Sequence, residues 1–162
     1  MLRYLKMKIS AVILLLVTVC LSLISCDLTS TQNFAAVYFP DSGVIAKNVE
    51  IELVTSRDKL ESYRKSVLFF NAKDEVMEKL DSYSSEFFDA KMLIVINMTE
   101  PISNSNVIVE KVDFGDSKVT VTIKRESPDI GAEVIKHWTV FVEIEACEIE
   151  KVDYTIIEKR IS

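Results

Sequence analysis

Glycine and histidine are scarce in this chain of 162 residues, which has three glycines and a single histidine, His137. No low-complexity block interrupts it, and hydrophobic residues make up 49% of it, as in a packed domain rather than a disordered segment. The sequence contains neither the G-x-S-x-G turn of serine hydrolases nor the G-x-x-x-x-G-K-[ST] loop that cradles nucleotide phosphates. These absences argue against two common classes of enzyme.

Charge is absent from Ile9 to Ile24, and the residues before this run carry Arg3, Lys6 and Lys8 but no acid. A basic head followed by an apolar core is the layout of a secretory signal peptide. The core has 16 residues, whereas a helix that crosses a bilayer needs about 20. The pattern therefore favours a cleaved signal peptide, with an uncleaved membrane anchor as the alternative.

The apolar core ends in Leu23-Ile24-Ser25-Cys26, which resembles the lipobox of bacterial lipoproteins. In proteins with this signal the cysteine thiol takes a diacylglyceryl group, the peptide is cut before the cysteine, and the new N-terminus usually receives a further acyl chain such as palmitate. More than one acyl chain gives stable anchoring. The resemblance implies a lipoprotein signal peptide over 1–25, lipidated Cys26 with a flexible tether over 26–33, and one domain over 34–162.

Loss of residues 1–25 would leave 137 residues, enough for a domain with its own core. Three of the 19 basic residues and none of the 25 acids would be removed, so the net charge would change from −6 to about −9. An acidic domain lacks the basic surface of a nucleic-acid-binding protein, and anionic headgroups would repel it from a membrane surface. With Cys26 lipidated, Cys147 would have no intramolecular disulfide partner.

Hydrophobic periodicity predicts the secondary structure of the remainder. Met92–Ile96 is apolar on both faces, which is typical of a central strand covered on both sides. The predicted elements in chain order are a strand near 49–53, helices over 57–69 and 73–83, a strand at 92–96, a hairpin of 106–114 and 118–126, and strands over 137–146 and 151–157. This order predicts an α+β fold with a mainly antiparallel β-sheet and two helices packed on one face.

The part of the chain over 87–146 resembles the family of PrcB-type C-terminal domains, named after a lipoprotein of a protease complex. The resemblance rests on the Phe87-Phe88 pair and on the stretches KMLIVINM, VTVTIKRESPDIG and KHWTVFVEI. A strand-helix unit like that at 48–69 often precedes this domain in relatives, and their glycine-serine-rich segment corresponds here to Ser103-Asn104-Ser105. Because the naming member is an accessory subunit bound to a surface protease, the resemblance implies binding or assembly and brings no catalytic residues.

Few side chains offer reactive chemistry. His137 and Cys147 are ten residues apart, about 33 Å along an extended strand, so they cannot share a ligand site within that strand. Acids surround the thiol, which would raise its pKa, and they lack the glycine and the Asp/Asn spacing of an EF-hand loop; they are Glu143, Glu145, Glu148, Glu150 and Asp153. We predict no catalytic residue, no metal site and no cofactor.

The sequence favours a lipid-anchored protein on the extracytoplasmic face of a bacterial cell membrane. It would act as a non-catalytic interaction or accessory module for another envelope protein, with a protease complex as one candidate, through loops 99–106 and 127–136 or a sheet edge. The alternative is a small-ligand or peptide binder with a groove between helices and sheet, lined by Phe69, Phe70, Phe87, Phe88 and Trp138. An enzyme with an unfamiliar site is a third hypothesis.

The lipobox predicts that Cys26→Ser abolishes both processing and membrane anchoring in a bacterial host. Intact mass should show loss of the signal peptide and gain of lipid for the wild-type protein only, and membrane fractionation should retain the wild-type protein only. If both proteins keep their full-length mass and stay in membranes, residues 9–24 are an ordinary anchor. If both are cut and released, the protein is secreted.

Overall fold

The computed structural model describes residues 30–31, 33–68, 72–100, 105–115, 117–128 and 135–161. Cys26 and the predicted signal peptide lie outside these ranges. The elements in chain order are β1 (Ser30–Thr31), β2 (Ala35–Pro40), β3 (Val49–Val54), α1 (Arg57–Leu68), α2 (Asp74–Asp81), α3 (Ser85–Ala90), β4 (Lys91–Glu100), β5 (Asn106–Gly115), β6 (Lys118–Pro128), β7 (Lys136–Glu145) and β8 (Lys151–Ile161). None of the helices in these ranges combines the length and the apolar character needed to cross a membrane.

The strands form two sheets, which we call the inner and the outer sheet. The inner sheet has the order β2-β7-β4-β3, and all its neighbours are antiparallel. The outer sheet has the order β1-β5-β6-β8, with β8 parallel to β6. The predicted α+β class with mainly antiparallel strands is confirmed, and the strands divide between two layers because each sheet offers an apolar face to the other.

The inner sheet is buried on both faces. Leu93 and Val95 of β4, with Phe141 of β7, point towards the helices and form one core with them. The alternate residues Ile94 and Ile96 point towards the outer sheet and form a second core. Because successive side chains of a strand alternate between faces, the continuous apolar run of β4 supplies both cores, as predicted for a central strand.

The helices cover the inner sheet on the side away from the outer sheet. The α1 stripe of Leu60, Tyr63 and Val67 is buried there, and the Ser56 hydroxyl accepts a hydrogen bond from the backbone N–H of Lys59 at 3.3 Å, which caps the helix N-terminus. The helix α3 was not predicted, because its six residues are too few to show a helical period.

The hairpin of β5 and β6 follows the prediction closely. Phe114 pairs with Val119 and Gly115 with Lys118, and Ser117 adopts a positive φ of 56° in the turn. The pairing slips between Val109 and Lys111, at a bulge, where the backbone N–H of Val109 donates to the Tyr38 hydroxyl at 3.0 Å. This bond joins the outer sheet to β2 of the inner sheet.

Short connections join strands of the inner sheet to strands of the outer sheet, so the strands of both sheets begin and end at the same two ends of the fold. At the turn end, β4 starts at Lys91, β7 stops at Glu145, and the β5–β6 turn leads into Lys118, which pairs with Lys151 of β8. At the loop end lie the last residue of β4, Glu100, and the first residues of β5 and β7.

The chain enters the described domain at the turn end. Ser30 pairs with Phe114 and Thr31 with Asp113, in antiparallel register. These two residues fall within the segment 26–33 that the sequence interpretation treats as a tether. They form β1 and are therefore part of the outer sheet, which leaves a shorter stretch between Cys26 and the first strand.

Candidate functional site at the loop end

On its helix-facing side, the inner sheet changes from apolar to polar towards the loop end. Asn97 and Thr139 are neighbours in register on β4 and β7, and both side chains are buried. The Asn97 Oδ1 accepts hydrogen bonds from the Thr139 hydroxyl at 2.9 Å and from the Tyr63 hydroxyl of α1 at 3.2 Å. This network satisfies three buried polar groups and fixes α1 against the sheet.

Tyr63 is a structural hydrogen-bonding group in this network. Burial raises the pKa of its hydroxyl far above the usual value, although the hydrogen bond with Asn97 acts in the opposite direction. The phenol therefore stays neutral at physiological pH and has no capacity to act as a base or nucleophile there. The network holds the helix in place rather than offering an ionised group to a substrate.

His137 lies at the same end and also has a structural role. Its Nδ1 is 3.0 Å from the Thr99 hydroxyl, and that hydroxyl donates to the carbonyl of Ala46 at 2.6 Å. Because the hydroxyl has one proton, the imidazole Nδ1 is the donor to Thr99. The carbonyl of His137 in turn accepts from the backbone N–H of Ser42 at 2.8 Å. Together these bonds fasten the 41–46 segment to the inner sheet.

Cys147 is exposed and lies at the turn end, just beyond β7. Partial burial raises the pKa of its thiol, which lowers the thiolate fraction at neutral pH. His137 is at the opposite end of the same strand, so the predicted separation of the two residues is confirmed. The described part of the chain brings no group of three or more histidine, cysteine or acidic side chains together around a metal position.

The side of the loop end that faces the outer sheet holds a buried ion pair. Glu100 is only 1% exposed, and the Arg125 Nε of β6 lies 2.9 Å from its Oε1. Burial raises the pKa of Glu100, and the positive charge of Arg125 opposes this rise. Within the described ranges, Trp138 Nε1 and Ser105 Oγ are also buried and have no hydrogen-bond partner.

Among the described residues of this end, two large apolar side chains are exposed. Ile45 is 55% exposed and Ile135 is 64% exposed. Ile45 precedes Ala46, which bonds to Thr99, and Thr99 bonds to His137, two residues after Ile135. The contacts that fasten the 41–46 segment therefore also bring the two isoleucines to the same end of the fold, beside the start of β7.

A cleft opens between α1 and the edge strand β3. It encloses about 130 Å³, against the roughly 300–1,000 Å³ of sites that take drug-sized ligands. The pKa of one lining carboxylate, Glu52, is raised, because the effect of burial exceeds the opposing effect of the Lys59 charge. The cleft is lined by Val44, Ile45, Glu50, Ile51, Glu52, Tyr63, Ser66, Val67 and Asn97. Its size suits a group of a few atoms.

The described aromatic residues among those predicted to line a ligand groove do not come together. Phe87 and Phe88 of α3 pack against the core between the helices and the inner sheet. Trp138 faces the other side of the same sheet and belongs to the core between the sheets. Phe69 and Phe70 lie outside the described residues. The sequence pattern could not show that Phe87 and Phe88 lie on the opposite side of the inner sheet from Trp138, because the helix α3 was not predicted.

At the turn end, Glu143 forms ion pairs with lysines from other elements. Glu143 accepts from Lys79 and from the Tyr83 hydroxyl, each at 3.1 Å, and Lys91 lies 3.6 Å from its second oxygen. Burial alone would raise the pKa of Glu143, but the hydrogen bonds from Lys79 and Tyr83 and the charges of Lys79 and Lys91 together outweigh it, so the net pKa is lowered. These partners were not foreseen, because they come from segments distant in sequence.

Comparison with protein-family models, with curated proteins and with solved structures finds no match to this chain. The resemblance to PrcB-type domains over 87–146 therefore stays a prediction.

The Glu143 cluster predicts a specific pH dependence of stability. A carboxyl group with a lowered pKa stabilises the fold above the usual glutamate range, about pH 4.3, and this stabilisation is lost as the pH falls through the folded-state pKa. We expect Glu143→Gln to reduce the free energy of unfolding by about 1–2 kcal/mol at pH 7, measured by urea denaturation. The difference from wild type should vanish at pH values below the folded-state pKa.

Glu145→Gln is the matched control, since Glu145 is an exposed glutamate two residues further along the same strand. It should change stability little at any pH. A stability loss in Glu143→Gln that persists unchanged in acid would show that the charge of Glu143 is not its cause.

Proposed function

We propose that this protein is a lipid-anchored, extracytoplasmic accessory module that binds another envelope protein through its loop end and carries out no catalysis itself. One observation carries the proposal: Ile45 and Ile135 are exposed together at the end of the fold from which both expected partner loops emerge. Exposed apolar side chains at one end of a fold are available to a protein partner, and such side chains contribute to protein-binding sites. A protease complex is one candidate partner, as the resemblance implies.

Hydrogen bonds and strand pairing hold the segments that carry Ile45 and Ile135 against the inner sheet. Ile45 is held beside the sheet through the bonds among Ala46, Thr99 and His137. Ile135 leads directly into β7, a strand with neighbours on both sides. A pre-organised surface loses less conformational entropy on binding than a flexible one, which suits a stable accessory subunit.

The state of the reactive side chains supports a non-catalytic role. The Tyr63 hydroxyl is buried in a hydrogen-bond network, and His137 fastens a loop. Cys147 is remote from both and has a raised pKa. A general base or nucleophile needs a partner and an accessible position, and within the described ranges these three side chains provide no such combination.

Site-specific photo-cross-linking in intact cells tests the surface. We expect a photoreactive residue at position 45 and one at position 135 to give an adduct with the same protein, identified by mass spectrometry. Position 157 is the matched control, because Ile157 is also exposed but lies in the middle of β8. It should give no such adduct.

The double variant Ile45→Ser/Ile135→Ser should weaken recovery of the same partner without changing thermal stability much, because both side chains are exposed. Equal adducts at positions 45, 135 and 157 would contradict a specific loop-end surface. Loss of recovery with Ile157→Ser instead would move the binding surface to β8.

The alternative function is small-ligand or peptide binding, and the cleft beside Glu52 favours it. Its two carboxylates, Glu50 and Glu52, suit a small cationic group. A thermal-shift screen of amines, envelope metabolites and basic peptides tests this, with Glu50→Gln/Glu52→Gln as the control. A shift that the double variant abolishes would support the alternative, whereas no shift at millimolar ligand would exclude it for the compounds screened.

A further inference from the structure

The pairing of β1 fixes where the chain leaves the domain towards Cys26. Ser30 pairs with Phe114, the last residue but one of β5, and Thr31 with Asp113. Because the two strands are antiparallel, the N-terminal end of β1 lies beside the C-terminal end of β5, at the turn end. The attachment point of the N-terminal segment is therefore on the end of the fold opposite Ile45 and Ile135.

The distance from Cys26 to this attachment point is short. Four residue steps separate Cys26 from Ser30, and a fully extended chain covers at most about 14 Å in four steps. The ten residues of β4 run from the turn end to the loop end, which is about 30 Å at the rise of a strand. The connection is thus shorter than the domain, and the domain cannot turn over freely above its anchor.

We propose that the turn end faces the lipid bilayer and that the loop end points away from it. This rests on the proposed lipidation of Cys26. The residues nearest the bilayer are then the β5–β6 turn and the 146–150 connection, which are joined by hydrogen bonds from the backbone N–H groups of Glu150 and Lys151 to the Ser117 carbonyl at 2.8 and 3.2 Å. The occupant of this surface is a phospholipid headgroup layer.

The charge of this surface is mixed and does not itself hold the surface near the bilayer. Glu145, Glu148 and Glu150 are exposed there, but so are Lys118 and Lys151, and anionic headgroups repel the acids and attract the lysines. The orientation therefore follows from the length and position of the covalent connection. It should be the same on neutral lipid, and it should be lost when the connection is lengthened.

The native Cys147 provides a probe at the turn end, because it is exposed. The lipidated mature protein, produced from the full chain in a bacterial host, is labelled at Cys147 with a fluorescent maleimide and reconstituted into phosphatidylcholine vesicles with a nitroxide on the headgroup. The matched comparison is Cys147→Ser/Lys47→Cys, labelled at the loop end, where Lys47 is exposed. We expect quenching at Cys147 to exceed quenching at position 47 several-fold.

A second variant tests the cause. Insertion of about ten glycine and serine residues between Thr29 and Ser30 adds roughly 18 Å of root-mean-square reach. Quenching at Cys147 should then fall towards that at position 47. Quenching at Cys147 that the insertion leaves unchanged would show adhesion of the surface to lipid and overturn the argument from the short connection.

The outcomes separate the orientation from the proposed function. If intact mass shows no lipid on Cys26, the anchor and the orientation are both wrong. If the protein is lipidated and vesicle-bound, but quenching is equal at the two positions or greater at position 47, the orientation alone is wrong. Quenching that is stronger at Cys147 than at position 47, and that falls when the glycine-serine segment is inserted, supports both the anchor and the orientation.

Discussion

Burial of the inner sheet on both faces is the constraint on which the rest of the structure depends. A sheet with two apolar faces needs a layer on each side, and the helices and the outer sheet supply those layers. β4 contributes to both cores at once, through Leu93 and Val95 on one face and Ile94 and Ile96 on the other. The helices and the outer sheet are therefore held together through the inner sheet, with β4 and β7 as its central strands.

The same strands change character along their length, and this change separates the two ends of the fold. In the middle, β4 and β7 are apolar on both faces. Towards the loop end, β4 carries the polar residues Asn97, Thr99 and Glu100. Each of these polar side chains has a specific partner from another element. Buried hydrogen-bonded groups fix relative positions more strictly than apolar contacts do. The contacts of Asn97, Thr99 and Glu100 thus fix how neighbouring segments meet β4 at the loop end.

Sequence patterns foresaw the elements whose period is strong. The double-faced run of β4, the stripe of α1 and the alternation of the hairpin all appear as predicted. The helix α3 escaped because it is short, and the division into two sheets escaped because periodicity does not report which strands are neighbours. The partners of Glu143 and Asn97 come from elements distant in sequence, so no local pattern contains them. The exposure of Ile45 and Ile135 likewise depends on how distant segments meet.

The parallel pairing of β8 with β6 has a consequence for biosynthesis. β8 is the last element of the described chain and has eleven residues. Its partner β6 is separated from it in sequence by the whole of β7. Until residues from Lys151 onward have emerged, β6 has a bare edge of unpaired backbone groups. Such an edge readily pairs with other chains. A chain truncated before β8 would therefore tend to aggregate, even though the inner sheet and both cores could already have begun to form.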